Sequence, residues 1–245
     1  MAMKIVTASV ILSLAAIIAF WLAASAIKYR SKSAETIVVT GLAEKDFVSD
    51  LIVWNGSYSR KSFDLKSAYA ALKQDENTIR KYLQAKGIAD REMIFTSVEI
   101  SKEFSPKTDA NGRQLGQEFT GYNLTQTVKV ESADVNKVEK ISREVTELIE
   151  SGIEFNSQPP AYYYSKLADV KIDLLGKASS DARSRAETIA KNAGSKLNSL
   201  RKANMGVFQI TGKNSNEDYS YGGAFNTSQK IKTGSITIKM EFATD

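Results

Sequence analysis

Any acid–base chemistry in this 245-residue chain has to come from carboxylates, because the sequence holds no histidine and no cysteine. That removes Ser-His triads, imidazole bases, thiolate nucleophiles and Cys/His zinc sites together. Two carboxylate pairs lie close in sequence, Glu44 with Asp46 and Glu217 with Asp218. Nothing around either pair suggests the desolvation that perturbs a pKa, so both read as solvated surface. Asp109, Asn111 and Gly112 begin as a calcium loop would, but the glycine comes too early and the later ligands are wrong; turn chemistry fits better. Gly176-Lys177-Ala178 and Gly212-Lys213-Asn214 lack the upstream glycine and the Ser/Thr of a phosphate loop. The expectation is therefore no catalytic residue, no metal, no cofactor and no enzyme activity.

Recognition chemistry is better represented. Tyr162, Tyr163 and Tyr164 run consecutively through a strand-like stretch, and alternation sends neighbours to opposite faces. At least one face should then be exposed or covered by a partner. Tyr219, Tyr221 and Phe225 are interleaved in a seventeen-residue polar, glycine-bearing segment, KNSNEDYSYGGAFNTSQ, which reads as a surface hairpin tip or a functional loop. These six aromatics form the candidate interaction surface, suited to burial against a neighbouring subunit. Trp54 reads as core. Nucleic acid is not expected as a partner. The formal net charge is +5, but residues 1–32 hold four basic and no acidic residues, leaving 29 basic against 28 acidic in the body. A nucleic-acid-binding domain needs a concentrated basic face.

The elements that must position these residues follow from periodicity. Thr36–Thr40 reads as a first strand ended by Gly41, and residues 51–60 as a second whose one face starts apolar. Asp64 caps a helix running to about Lys86, with Gly87 as its stop. Ile94–Phe104 and Glu118–Val130 form a hairpin with a long tip at 105–117. Ala133–Glu150 is helical and closed by Gly152; Ile153–Tyr164 is a strand interrupted by Pro159-Pro160. Residues 50–164 thus run β-α-β-β-α-β, the ferredoxin-like split βαβ order. A long helix from Lys166 to Ala193 carries the stripe Ala168, Ile172, Leu175, Ala178, Ala182, Ala186, Ile189, Ala190 and Ala193. Its alanines at spacing four form a smooth ridge that lets another backbone approach closely. Gly206–Gly212 and Ile231–Phe242 close the chain as a terminal β-hairpin. The class is α+β.

Residues 5–27 are charge-free and apolar. Twenty-three helical residues reach about 34 Å, enough for a hydrocarbon core of roughly 30 Å. Two readings stand: a transmembrane anchor, favoured by the length, or a signal segment cleaved after Ala24-Ser25-Ala26. Lys28, Arg30 and Lys32 follow the run and only Lys4 precedes it, so charge alone would keep the body cytoplasmic. Residues 1–32 form the membrane segment and 33–245 the body, with parts at 50–164 and 165–245.

The residues also resemble a family. Ile37-Val38-Val39-Thr40-Gly41 with Val48-Ser49-Asp50, Phe119-Thr120-Gly121-Tyr122, and the ladder Ala178, Ala182, Arg185-Ala186, Ile189-Ala190, Ala193-Gly194 and Leu197 resemble the SIMPL-domain proteins of bacterial envelopes. The alternation from Ile236 to Phe242 agrees. Ala43 and the tyrosine run depart from the pattern. The resemblance implies export to the periplasm, a ferredoxin-like part joined to a long helix and terminal strands, ring-like or channel-like homo-oligomers, and links to oxidative-stress defence. It carries no catalytic residues. The expectation is a self-assembling, non-enzymatic protein anchored to the inner membrane. The alternatives are a small-ligand-binding or stress-response module, with the protein secreted to the periplasm, and a carboxylate-based hydrolase.

Overall fold

The computed structural model describes residues 13–25, 35–110 and 113–245. Residues 13–25 are helical (α1) with every side chain exposed. The remainder of the apolar run expected to span a bilayer lies outside the described residues. Among the described residues no helix is long and apolar enough to cross a membrane.

The body is α+β and holds two sheets, each covered by helix on one face. Strand β1 (Thr36–Val48) continues through Gly41, where a strand end was expected. The reason lies in α4 (Leu167–Asn192). A Cβ on Gly41 would stand 2.2 Å from the Ala178 carbonyl oxygen and 2.6 Å from the Ala182 nitrogen. The glycine therefore permits contact between strand and helix backbones rather than a turn. The alanine ridge is real but rotated: Val170, Leu174, Ala178, Ala182, Ala186 and Ala190 are the buried residues of α4. Ala168, Ile172, Ile189 and Ala193, placed on the stripe by sequence, are all exposed, Ile172 at 72% and Ile189 at 48%. A strict four-residue ridge fits the twisted sheet below and leaves those four positions outside it.

The terminal strands are three rather than two. β8 (Leu197–Met205) and β9 (Gln209–Gly212) both pair with β10 (Ile231–Thr244), which pairs on its other side with the whole of β1. The expected terminal hairpin is thus part of a four-stranded sheet that recruits the first strand, 190 residues away in sequence. Its core holds Val39, Phe47, Leu174, Ile236, Ile238 and Phe242.

The other sheet has six strands. β2 (Leu51–Ser62) is central, between β5 (Gln114–Ser132) and the short pair β6 (Phe155–Ser157) and β7 (Ala161–Tyr163). The expected single strand 94–104 is two, β3 (Met93–Phe95) and β4 (Glu99–Thr108), both antiparallel to β5. Pro159-Pro160 separates β6 from β7, as prolines without N–H groups should. With the broken strands joined, the order is that of the split βαβ arrangement. Helices α2 (Leu65–Ala85) and α3 (Val135–Glu144) cover one face. The Asp64 carboxylate accepts the Ser67 N–H at 2.8 Å as N-cap. α3 ends six residues short of the expected stop and passes into a 3₁₀ segment, Val145–Ser151, closed by left-handed Gly152. Trp54 and Ile52 are fully buried between these helices and the sheet.

Candidate functional site: the aromatic clasp and its loop

The six aromatics singled out by sequence divide into two groups. Tyr162 is 8% exposed and belongs to the core of the six-stranded sheet. Tyr164 packs on Phe47 of the other sheet at 4.9 Å between ring centroids, and Tyr163 lies 6.5 Å from Phe225. The consecutive tyrosines therefore bridge the two layers, Tyr162 in the core of the six-stranded sheet and Tyr163 and Tyr164 against the four-stranded sheet and its loop. The cover expected for their second face comes from the chain's own loop. Tyr219 and Tyr221 lie elsewhere, beside an open cleft of about 340 Å³ with Leu42, Val207, Ser235 and Thr237. The Ser235 hydroxyl donates to the Tyr219 oxygen at 3.3 Å, and Tyr221 is fully exposed.

The loop that carries them is folded, with its ends tied. Gln209 donates to the Ser220 carbonyl at 2.9 Å, and its own amide oxygen accepts the Ala224 N–H at 2.6 Å. Ile210 N–H donates to Ala224 O, and Asn226 N–H donates back to Ile210 O. Glu217, expected as solvated surface, accepts the Gly212 N–H at 3.1 Å and the Asn226 side-chain amide. Tyr162 N–H donates to Thr227 O at 2.7 Å, which fastens the loop to the six-stranded sheet. Such a compact loop with adjacent ends is a packed element rather than a loose tip. The other carboxylate pair is engaged as well: Asp46 meets Lys213 at 2.7 Å and accepts the Thr233 hydroxyl, both of which hold its carboxyl below the usual range.

Beneath the loop sits Lys232, 2% exposed. Its ammonium donates to the Asn226 carbonyl at 2.6 Å. Burial pushes its pKa down to about 8, against an opposing pull from Glu217. Sequence reasoning missed this residue. The signal available was a lysine on the inward-facing register of a strand that otherwise alternates apolar and polar residues. A second buried polar set lies between α2 and the six-stranded sheet. Arg60 grips Asp75 through two bonds of 2.5 and 2.8 Å and donates to Gly152 O at 2.9 Å. Glu76 accepts from Lys73 and Arg80, and the Tyr58 hydroxyl donates to Gln126 at 2.6 Å. Asp75 and Glu76 are thus spoken for by cations, an arrangement that anchors a helix rather than positions a general base. Among the described residues no cluster of three or more acidic side chains is arranged to hold a metal ion.

An α+β body of two helix-covered sheets, joined by a tyrosine clasp and a tied loop, defines the class. The chain belongs to the SIMPL family, described as a protein of unknown function (DUF541), whose model matches residues 37–242. The match begins one residue after the start of β1 and ends inside β10, so it takes in both sheets. No curated protein is significantly similar to the chain.

Proposed function

We propose that this SIMPL protein is a non-enzymatic, self-assembling scaffold of the cell envelope. In this reading a helix within residues 5–27 holds it to the inner membrane, uncleaved, with the body in the periplasm. What supports self-assembly most directly is the four-stranded sheet, which among the described residues is open along β1 and along β8, the loop covering β9. β1 pairs with β10 alone along thirteen residues, and β8 exposes eight of its nine. Open strand edges are templates for another chain. At one point the edge is guarded, since Asp181 accepts the Leu42 N–H at 2.9 Å. Ring-like or channel-like closure would follow if the contacts are heterologous. Each copy then adds a membrane segment, so attachment strengthens with copy number. Sedimentation of the full chain in mild detergent tests the reading: a discrete oligomer is expected, and a monomer throughout the micromolar range overturns it. A stress-related duty rests on the family resemblance and is tested by peroxide survival of a deletion strain.

The cleft beneath Tyr219 and Tyr221 favours a second reading, a small-ligand module. Its size lies at the low end for ligand pockets, and its walls are mostly apolar with two hydroxyls converging. Native mass spectrometry of the purified chain separates the readings: a retained small molecule lost in Tyr219→Ala supports the module.

A further inference from the structure

β4 and the first part of β5 leave the body as a two-stranded arm. β4 pairs with β5 from Glu99 to Thr108 and, among the described residues, with no other strand. Within β4 only Glu103 and Ser105 are even half-buried, and residues 114–118 of β5 are all exposed. A two-stranded ribbon is marginal alone in water, so whatever covers it matters for its stability.

One face of the arm is dominated by aromatic and aliphatic side chains, with Lys102 set among them between Ile100 and Phe104. Phe119 contacts Phe104, Phe63 and Tyr122 with ring centroids 5.7, 6.2 and 5.2 Å apart. Ile100 stands opposite Leu124 in register, so it shares the face that continues into the core. Phe63 is 72%, Ile100 55%, Phe104 53% and, nearer the tip, Leu115 62% exposed. Together they present roughly 400 Å² of apolar side chain, about half of what each partner buries in a stable dimer and a fitting share for an interface core.

The occupant follows from charge and from the edge. Along the arm Glu99, Lys102, Glu103, Lys107, Arg113 and Glu118 mix both signs, a pattern without the basic excess that an anionic bilayer requires. Mixed charge is self-complementary when a two-fold axis brings opposite ends together. Strand addition along β4 is blocked by Pro106, by Lys102 and Lys107, and by irregularities at Glu103/Phe104 and Lys107/Thr108. We infer that the aromatic face of this arm packs against the same face of a second copy of the chain, about a two-fold axis. This rests on the self-assembly proposed above and adds a face-to-face contact distinct from the open edges of β1 and β8.

The native chain has no cysteine, which makes the test clean. Full-length Phe104→Cys and the control Ser57→Cys, on the opposite face of the six-stranded sheet, are oxidised and alkylated with and without lipid vesicles. The unlabelled chain and Phe104→Glu/Leu115→Glu are sedimented in the same detergent. The expected result is a disulfide-linked dimer for Phe104→Cys alone, and a self-association constant weakened about 30-fold in the double variant. Circular dichroism confirms that the variant stays folded. An oligomer of unchanged mass in the double variant, with free alkylation of Phe104→Cys, overturns the arm contact and leaves self-assembly standing. Protection that appears only with vesicles gives the face to lipid and also overturns it. A monomeric unlabelled chain overturns both.

Discussion

At the scale of single residues, Lys232 and Gly41 control how the four-stranded sheet is closed. The buried Lys232 ammonium loses its proton at about pH 8, whereas an unfolded lysine keeps its own to about 10.4. Between those values the unfolded chain binds more protons, so folding stability rises with pH across that window. Lys45 and Lys86 act in the opposite sense at higher pH, since hydrogen bonds to Asp173 and Glu147 respectively raise them above the ordinary lysine value. Denaturant titrations between about pH 8 and pH 10 should show the rise in the native chain and its loss in Lys232→Met; equal slopes would refute the assignment. At Gly41 any side chain meets the backbone of α4. Gly41→Ala should cost about 3 kcal/mol, the upper part of the overpacking range, read as a lower urea midpoint at unchanged slope. The sequence shows Gly41 plainly, yet its local meaning is ambiguous. Glycine ends a strand or admits a neighbour, and only the partner helix decides. Lys232 is harder still, because its register puts a lone cation on the inward face, and only the loop that covers it supplies the Asn226 carbonyl its ammonium needs.

Elements were legible where their own periodicity sets their burial. α2, with its Asp64 cap, was read to within a residue, and the two helices and the strands flanking them were found in the right order. What the chain could not show locally was pairing between distant segments. β8 has eight exposed residues of nine and so no alternation to detect; β10 alone defines it. The sequence stripe of α4 differs from the buried ridge at Ala168, Ile172, Ile189 and Ala193, which are exposed, and omits the buried Val170 and Leu174, because a 26-residue helix offers several plausible apolar faces and the twist of the sheet selects one. The ion pair at the middle of α2 offers a test at this scale. Arg60→Ala leaves the Asp75 carboxylate, 7% exposed, without its cation. The loss should be about 2 kcal/mol, below that of a fully enclosed pair because Arg60 itself is partly solvated. Arg60→Met/Asp75→Leu should recover most of it, because an apolar pair of similar volume leaves no buried charge. If the double variant is as unstable as the single one in denaturant titration, the packing of α2 rather than the ion pair is at fault.

For the whole molecule, the envelope scaffold proposed above requires the two-sheet body to lie outside the cytosol. The flanking charges and the family resemblance point in opposite directions. Lys28, Arg30 and Lys32 after the apolar run would retain the body in the cytosol, while the envelope scaffold proposed above requires export. The body itself favours neither side by charge, at 29 basic to 28 acidic residues. Its chain ends do constrain the geometry. Thr244 N–H donates to Glu35 O, and Asp245 N–H donates to Lys196 O, so the C-terminus lies beside the point where the chain enters β1. A reporter fused after Asp245 therefore stands beside Glu35, on the body itself, and reports the compartment of the body. An alkaline phosphatase fusion, active only outside the cytosol, should be active, and the full-length chain should sediment with membranes and resist salt extraction. Intact mass decides between the two forms of the N-terminus: a mass including residues 1–26 fits the anchor, and one lacking them fits cleavage after Ala26. Phosphatase silence with a membrane-bound, full-length chain would place the body in the cytosol, and the envelope scaffold would fall with it, because the flanking lysines and arginine would then have set the orientation that the charge rule prescribes.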